Sequence, residues 1–230
     1  MELAQVSNKI DTKLNSFIPG GVQKDEYEKS LYLTQAQDIF YESLLSAFEN
    51  TSNMSVALTP FIQNITITTA APTIFGGHAI QLGVVARKIL RERVKVTSIS
   101  HPIYDGKDLK VSEERLAEIE ESLKNPFRVP NEVEALRVMM ESLAFDSIEL
   151  YIPPWASLTS YNAIIARVLD PLILEDLPDA LTIKDQNLAT ADILFSDEDM
   201  DKIIDLAVNL ILRDMGIVSQ PQEAPQEDSQ

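Results

Sequence analysis

Residues 25–48, DEYEKSLYLTQAQDIFYESLLSAF, decide the fold. Leu33, Ala36, Phe40, Leu44 and Phe48 recur every three or four positions, the spacing of one helical face. Leu31, Ile39, Leu45 and Ala47 widen that face into the broad stripe of a helix half sunk in a core. Neither Gly nor Pro interrupts the stretch, and Asp25 and Glu26 stand at its amino end, where the helix dipole favours negative charge. At about 1.5 Å per residue it spans roughly 36 Å, so other segments must cover its stripe.

Two flanking segments offer that cover. Leu3, Val6, Ile10, Leu14 and Phe17 predict an amphipathic helix over residues 2–18, closed by Ile18-Pro19-Gly20-Gly21 and packed with the long helix as an antiparallel hairpin. Far along the chain, residues 195–215 read as a third helix. Ser196 is its cap, the run Asp197-Glu198-Asp199-Asp201 suits its positive amino end, and Gly216 is placed to end it. Met200, Ile203, Ile204, Ala207, Leu210 and Ile211 are its expected buried face, and Arg213 lies in its last turn.

Between the helices the period changes to two. Ile65–Thr69, Ala79–Val85, and Val94, Val96 and Ser98 read as three strands. Ser112–Leu123 reads as a short helix, with Leu116, Ile119 and Leu123 on one side. Ala135–Met140 and Ser147–Ile152 form a candidate hairpin, although the first is also compatible with a helix, and Tyr161–Leu169 is a last, ambiguous strand. The expected class is α+β: a helical bundle from both chain ends, two N-terminal helices plus the C-terminal helix, with a mostly antiparallel β portion inserted. The expected divisions are 1–60 (hairpin), 61–180 (β-rich portion), 181–216 (linker and closing helix) and 217–230, an acidic tail too poor in apolar residues to fold alone.

The 230 residues carry a formal charge of −17, which argues against a protein whose task is gripping phosphate. No cysteine is present, so disulfides, thiolate metal sites and cysteine nucleophiles are excluded. No run of eighteen apolar residues occurs, and MELAQVSNKI lacks a signal-peptide core, so a soluble chain that is not secreted by a standard route is expected. His78 and His101 stand outside any zinc-ligand spacing, and no phosphate-cradling glycine loop or GxSxG elbow exists. No catalytic residue, metal ligand or cofactor site is therefore nominated. Asp197–Asp201 lacks the turn glycine of a calcium loop, and helix capping already accounts for it.

Two interaction candidates remain. Arg87, Lys88, Arg91, Arg93 and Lys95 form a basic patch, to be read as a contact with an acidic neighbouring subunit, as a solvated strand edge, or as a DNA contact. The proline-bracketed loop Asn125, Pro126, Phe127, Arg128, Val129, Pro130 and the stiff corner at Trp155 are candidates for docking.

The order of segments resembles the ring or adaptor proteins of the head–tail connector of crAss-like bacteriophages. The pieces that carry the resemblance are Ser7-Asn8-Lys9, Ile18-Pro19, Tyr27–Gln37 (YEKSLYLTQAQ), Phe48–Thr51, Val94–Val96, His101–Ile103, Asn125–Pro130, Pro171–Pro178 and Leu206–Leu210. The sequence departs from the family pattern at Asn53-Met54-Ser55 and in a less aromatic Tyr161–Leu169 segment. The resemblance implies a non-enzymatic virion protein, made in the host cytoplasm, that assembles as a homo-oligomer. The implied assembly is a dodecameric ring beneath the portal protein, which extends the channel for double-stranded DNA without binding it specifically and docks neighbouring tail proteins. Another phage tail-completion or tail-terminator protein is the alternative, with a cytoplasmic interaction module behind it.

Overall fold

The computed structural model describes residues 3–18, 24–51, 56–73, 76–98, 102–140, 145–174 and 195–217. The expected tail at 217–230 beyond Ile217, His101, the 141–144 link and the 176–178 turn lie outside the described residues. The fold is α+β, and the chain divides into two compact units, one of residues 1–60 with 169–230 and one of residues 61–168.

The first unit holds α1 (Leu3–Phe17), α2 (Glu26–Thr51) and α4 (Asp197–Asp214), with α3 belonging to the other unit. On α1, Val6, Ile10 and Leu14 are fully buried, as their spacing requires, whereas Phe17 at the carboxyl end is 57% exposed. The buried face of α2 is rotated from the expected stripe. It consists of Lys29, Ser30, Leu33, Ala36, Gln37, Tyr41, Leu45 and Phe48, while Leu31, Ile39 and Ala47 face solvent. Phe40 is half-buried and meets Phe195 edge-on, ring centroids 5.9 Å apart. Apolar residues thus sit on more than one side of α2, and sequence spacing alone could not choose between them.

The terminal segments are tied by named contacts. Lys9 Nζ donates to Asp201 at 2.6 Å, Lys13 pairs with Asp205 one turn on, and Tyr32 Oη donates to Asp214 at 2.6 Å. The first two pairs advance together along α1 and α4, which therefore run parallel. α1 meets α2 near the amino-terminal turns of α2, where Ser7 reaches Glu26 and Lys29 reaches Asp11. That crossing replaces the expected antiparallel hairpin. On α4, Ser196 Oγ accepts from the Asp199 N–H at 3.2 Å. At its other end Gly216, at φ +72°, allows Gly216 N–H to reach Arg213 O and Ile217 N–H to reach Leu212 O, satisfying two terminal carbonyls. The buried face of α4 includes Val208 and Leu212, with Leu210 only half-buried. Residues 170–174 have no regular structure but are pinned to α2: Gln37 Nε2 donates to Asp170 O, and the Leu172 and Leu174 N–H groups reach Thr34 Oγ1 and Ser30 Oγ.

The second unit is a seven-stranded sheet of β1 (Ile62–Ile67), β2 (Ala71–Pro72), β3 (His78–Thr97), β4 (Asp108–Glu114), β5 (Glu134–Met139), β6 (Phe145–Tyr151) and β7 (Ser157–Arg167). The two strands expected over 79–98 are one 20-residue strand, β3. Its first half pairs with β6 and its second with β7 and β4, so the path β3-β4-β5-β6 returns to β3 and closes. Register shifts between Gln81 and Ala86, Ala86 and Lys88, and Ile89 and Arg91, with Gly83 at φ +72°, bend the strand enough to serve both halves. Ile80, Leu82, Val94, Val96, Leu109, Ile148, Leu150 and Tyr161 fill the interior. The expected Ser112–Leu123 helix is divided. Residues up to Glu114 belong to β4, which pairs in parallel with β5, and only α3 (Ile119–Lys124) is helical. α3 covers the opposite face of β5 and β6 through Ile119, Leu136, Val138 and Tyr151. β5 and β6 do pair antiparallel, Leu136 opposite Tyr151.

Lys29 is the least sequence-legible part of the helical unit. It is 1% exposed and donates to Asp11 Oδ2 (2.7 Å), Glu26 Oε1 (2.9 Å) and Ser7 Oγ (3.1 Å). Burial pulls its pKa down, but the hydrogen bonds and charges of Asp11 and Glu26 outweigh that and hold it above the ordinary lysine value. A folded-state pKa above the unfolded one means stability that is complete below about pH 10.4 and lost as pH rises through the folded value. Lys29→Met is expected to cost about 1–3 kcal/mol in urea unfolding at neutral pH. The gap to the natural chain should narrow as the buffer is taken above about pH 10.4, and a gap that stays constant there would contradict this assignment.

Candidate functional surfaces

The basic patch divides into two parts. Arg87 and Lys88 are half-buried in the irregular bend of β3. Beyond it burial alternates, turning Val94 and Val96 inward and Arg91, Arg93 and Lys95 outward, while the pairing with β7 shifts once more between Lys95 and Val96. Lys110 joins this row. Because β4 sets Leu109 opposite Val94, both buried, the neighbouring Lys110 and Arg93 share the outer face, and Lys110 is exposed. Sequence reading missed Lys110 because only strand pairing brings it to the patch. Arg93, with a side chain 76% exposed, lies 3.9 Å from Asp108 Oδ2, a pair worth little in stability because solvent screens it. Beside the row, Asn64, Thr66, Asn162 and Ile164 complete a shallow depression of about 320 Å³, in which Thr66 Oγ1 donates to Asn162 Oδ1 at 2.9 Å.

The charge of the chain is unevenly shared. Residues 61–168 contain 12 Lys and Arg against 13 Asp and Glu, net −1. The remaining 7 Lys and Arg face 23 Asp and Glu, net −16. The acidity read from the whole sequence is therefore a property of the unit that holds both chain ends.

The Asn125–Pro130 loop is braced by its own hydrogen bonds. Asn125 Oδ1 accepts from Phe127 N–H at 2.9 Å, Asn125 O accepts from Arg128 and Val129 N–H, and Arg128 approaches Glu114 at 3.8 Å. These bonds hold Phe127 out at 93% exposure between Pro126 and Arg128, while Pro130 is buried at the loop's base. Trp155 is not part of this surface. It is half-buried, and its carbonyl accepts from Ser98 Oγ at 3.3 Å near the start of β4, whereas the loop sits by Glu114 at the end of β4.

Inside the β circuit lies a charged cluster that the sequence did not suggest. Arg137 on β5, 4% exposed, donates through Nε to Glu92 Oε1 (3.0 Å) and through Nη2 to Glu113 Oε2 (3.1 Å). Tyr161 Oη donates to Glu92 Oε2 at 2.8 Å. Burial raises the Glu92 carboxyl above its usual range despite Arg137 and Tyr161, and burial together with Glu92 raises the Tyr161 hydroxyl. The cluster joins β3, β4, β5 and β7 and has the character of a fastening. His78, whose pKa burial lowers, lines a separate shallow depression with Thr68, Thr69 and Ser157. Among the described residues no three of His, Asp and Glu converge as a metal site, and no helix is long and apolar enough to cross a membrane.

A family model for phage tail ring protein 3/4, of the crAss type, matches residues 1–226, which takes in both units. The chain belongs to this family of phage tail ring proteins. No curated protein matches it. The family is a structural one of bacteriophage.

Removing one member of a buried charge pair strands the other. Arg137→Met is expected to destabilise the protein by about 3–5 kcal/mol, and Glu92→Met in the same chain should recover most of the loss. Urea unfolding of the two single variants and the double variant gives the coupling. Additive losses would remove the cluster's role as a fastening.

Proposed function

We propose that the chain is a non-enzymatic virion subunit that assembles with copies of itself into a closed ring at the head–tail connector. The ring sits beneath the portal protein, extends the channel and docks neighbouring tail proteins. The observation that carries this reading is the family match over residues 1–226. The division of labour follows from the two units. The helices α1, α2 and α4 act together as one bundle and supply the wall, each copy packing head to tail on the next, as a closed cyclic assembly requires. A dodecamer is the expected copy number. The Asn125–Pro130 loop, with Phe127 held out by Asn125, supplies the contact to the adjacent tail component: an exposed aromatic on a rigid loop loses little entropy on docking. Trp155 serves that surface only indirectly, as an anchor at the far end of β4. The acidic helical unit repels the DNA backbone, so passing double-stranded DNA slides without specific binding. A tail-completion or tail-terminator role would use the same ring and differ in the neighbours that the loop contacts.

Negative-stain images and mass photometry of the purified chain, with and without portal protein, should reveal rings with a central hole in at least one condition. A monomer in both would end the ring reading. Phe127→Ser should leave ring formation intact while reducing capture of the adjoining tail protein at least tenfold; unchanged capture would clear the loop of this role.

A further inference from the structure

β1 is an end strand of the sheet. β7 pairs with all six of its residues, Ile62–Ile67, and among the described residues nothing pairs with its other side. Hydrogen bonds in an antiparallel pair alternate along the strand, so three of the six residues direct both N–H and C=O away from β7. Such an edge is commonly blunted by charge, proline or shortness. β2, for comparison, is two residues long and ends in Pro72. β1 has none of these devices: IQNITI holds no charged residue and no proline. We infer that residues 179–184 of a second copy of the chain add to this edge as a further strand, so that each sheet in the ring is completed by its neighbour.

Three further observations select that segment. The first is chain length. Residues 175–194 lie outside the described residues, but both flanks are fixed on α2: Leu174 N–H donates to Ser30 Oγ, and the Phe195 ring meets Phe40 edge-on. Ser30 and Phe40 lie about 15 Å apart along the helix. The stretch between the flanks can span about 66 Å, enough to run roughly 25 Å out from α2 and return. The second is pattern. Asp179-Ala180-Leu181-Thr182-Ile183-Lys184 matches β1 in length, and its centre alternates apolar and β-branched polar residues as a half-buried strand does. Placed on the edge, Leu181 and Ile183 extend the face of Ile65 and Ile67, which belong to the core of the sheet, and Thr182 joins the exposed Asn64 and Thr66. Main-chain bonds then supply affinity and the alternating side chains supply register. The third is charge. Residues 175–194 hold five Asp and Glu against one Lys, net −4, and meet less repulsion on the β unit of net −1 than on the acidic helical unit. Donor segment and receiving edge are different parts of the chain, so the joint is heterologous and copies add in one direction until the ring closes. This rests on the ring reading above and names one of its joints.

The absence of cysteine makes the test clean. Thr66→Cys in one preparation and Thr182→Cys in another, mixed under assembling conditions and treated with a short bis-maleimide, should yield a dimer cross-linked between those two positions. Leu181→Asp with Ile183→Asp should raise the concentration for half-assembly at least tenfold while leaving the urea midpoint of the unassembled chain unchanged. Three results would overturn the joint and leave the ring reading standing: rings of the natural chain with no such cross-link, a doubly aspartate-substituted chain that assembles as the natural one does, or Thr66→Cys linking to Thr66→Cys, which would pair β1 with itself. A chain carrying both cysteines that links only within itself would place the segment on its own sheet and overturn the joint as well. If the natural chain forms no ring even with portal protein, the ring reading fails and takes this inference with it.

Discussion

The β unit depends on one strand being bent without being broken. β3 must pair with β6 through its first half and with β7 and β4 through its second, because only then does the path close and bury Ile80, Val94, Leu109 and Tyr161 together. An unbent 20-residue strand could not serve both sides. The register shifts and Gly83 allow the bend, and the Glu92–Arg137–Tyr161 cluster then fastens the strands that meet beyond it. The same geometry produces the outward row of cations, since beyond the bend each residue between two core positions faces away. Structure and surface chemistry are in this sense a single consequence of where β3 bends.

The helical unit solves a different problem. Its helices α2 and α4 are both acidic, and the cations that offset them are concentrated where segments distant in sequence meet. Lys9, Lys13 and Lys29 each contact carboxylates from another turn or another helix, and they are a large share of the few cations this unit owns. Spent this way, they leave the outer faces acidic. That residue of charge is what distinguishes the helical unit from the nearly neutral β unit.

Much of this was legible in the sequence where the signal is local. α4 was readable from Ser196 to Gly216 because a cap, an acidic first turn and a positive-φ glycine act within a few residues of one another. β6 was expected as a strand, while the β5 and β7 segments were strand candidates that local pattern left open, and pairing within the sheet settles them. The failures share a cause, which is that long-range pairing decided them. Leu116, Ile119 and Leu123 have helical spacing, yet parallel pairing to β5 claims the residues up to Glu114 for β4. The charged stretch 87–93 separates the two expected strands in the sequence reading, yet pairing with β7 keeps it in one continuous strand. Buried Lys29 and Arg137 were invisible because nothing near them in sequence marks them, their partners including Asp11 from another helix and Glu92 from another strand. The Asn125–Pro130 loop was legible as a loop from its prolines, the outward basic row only in part, and Lys110 not at all.

The account's central claim is that copies of the chain join head to tail through unlike surfaces, one of them the open edge of β1. A cryo-EM reconstruction of the tail ring at side-chain resolution tests this most directly. It should show an extended segment of each copy lying along β1 of the next, all joints identical and related by one rotation. A ring whose joints pair like surfaces across two-fold axes, or in which the β1 edge faces the channel or open solvent, would contradict it.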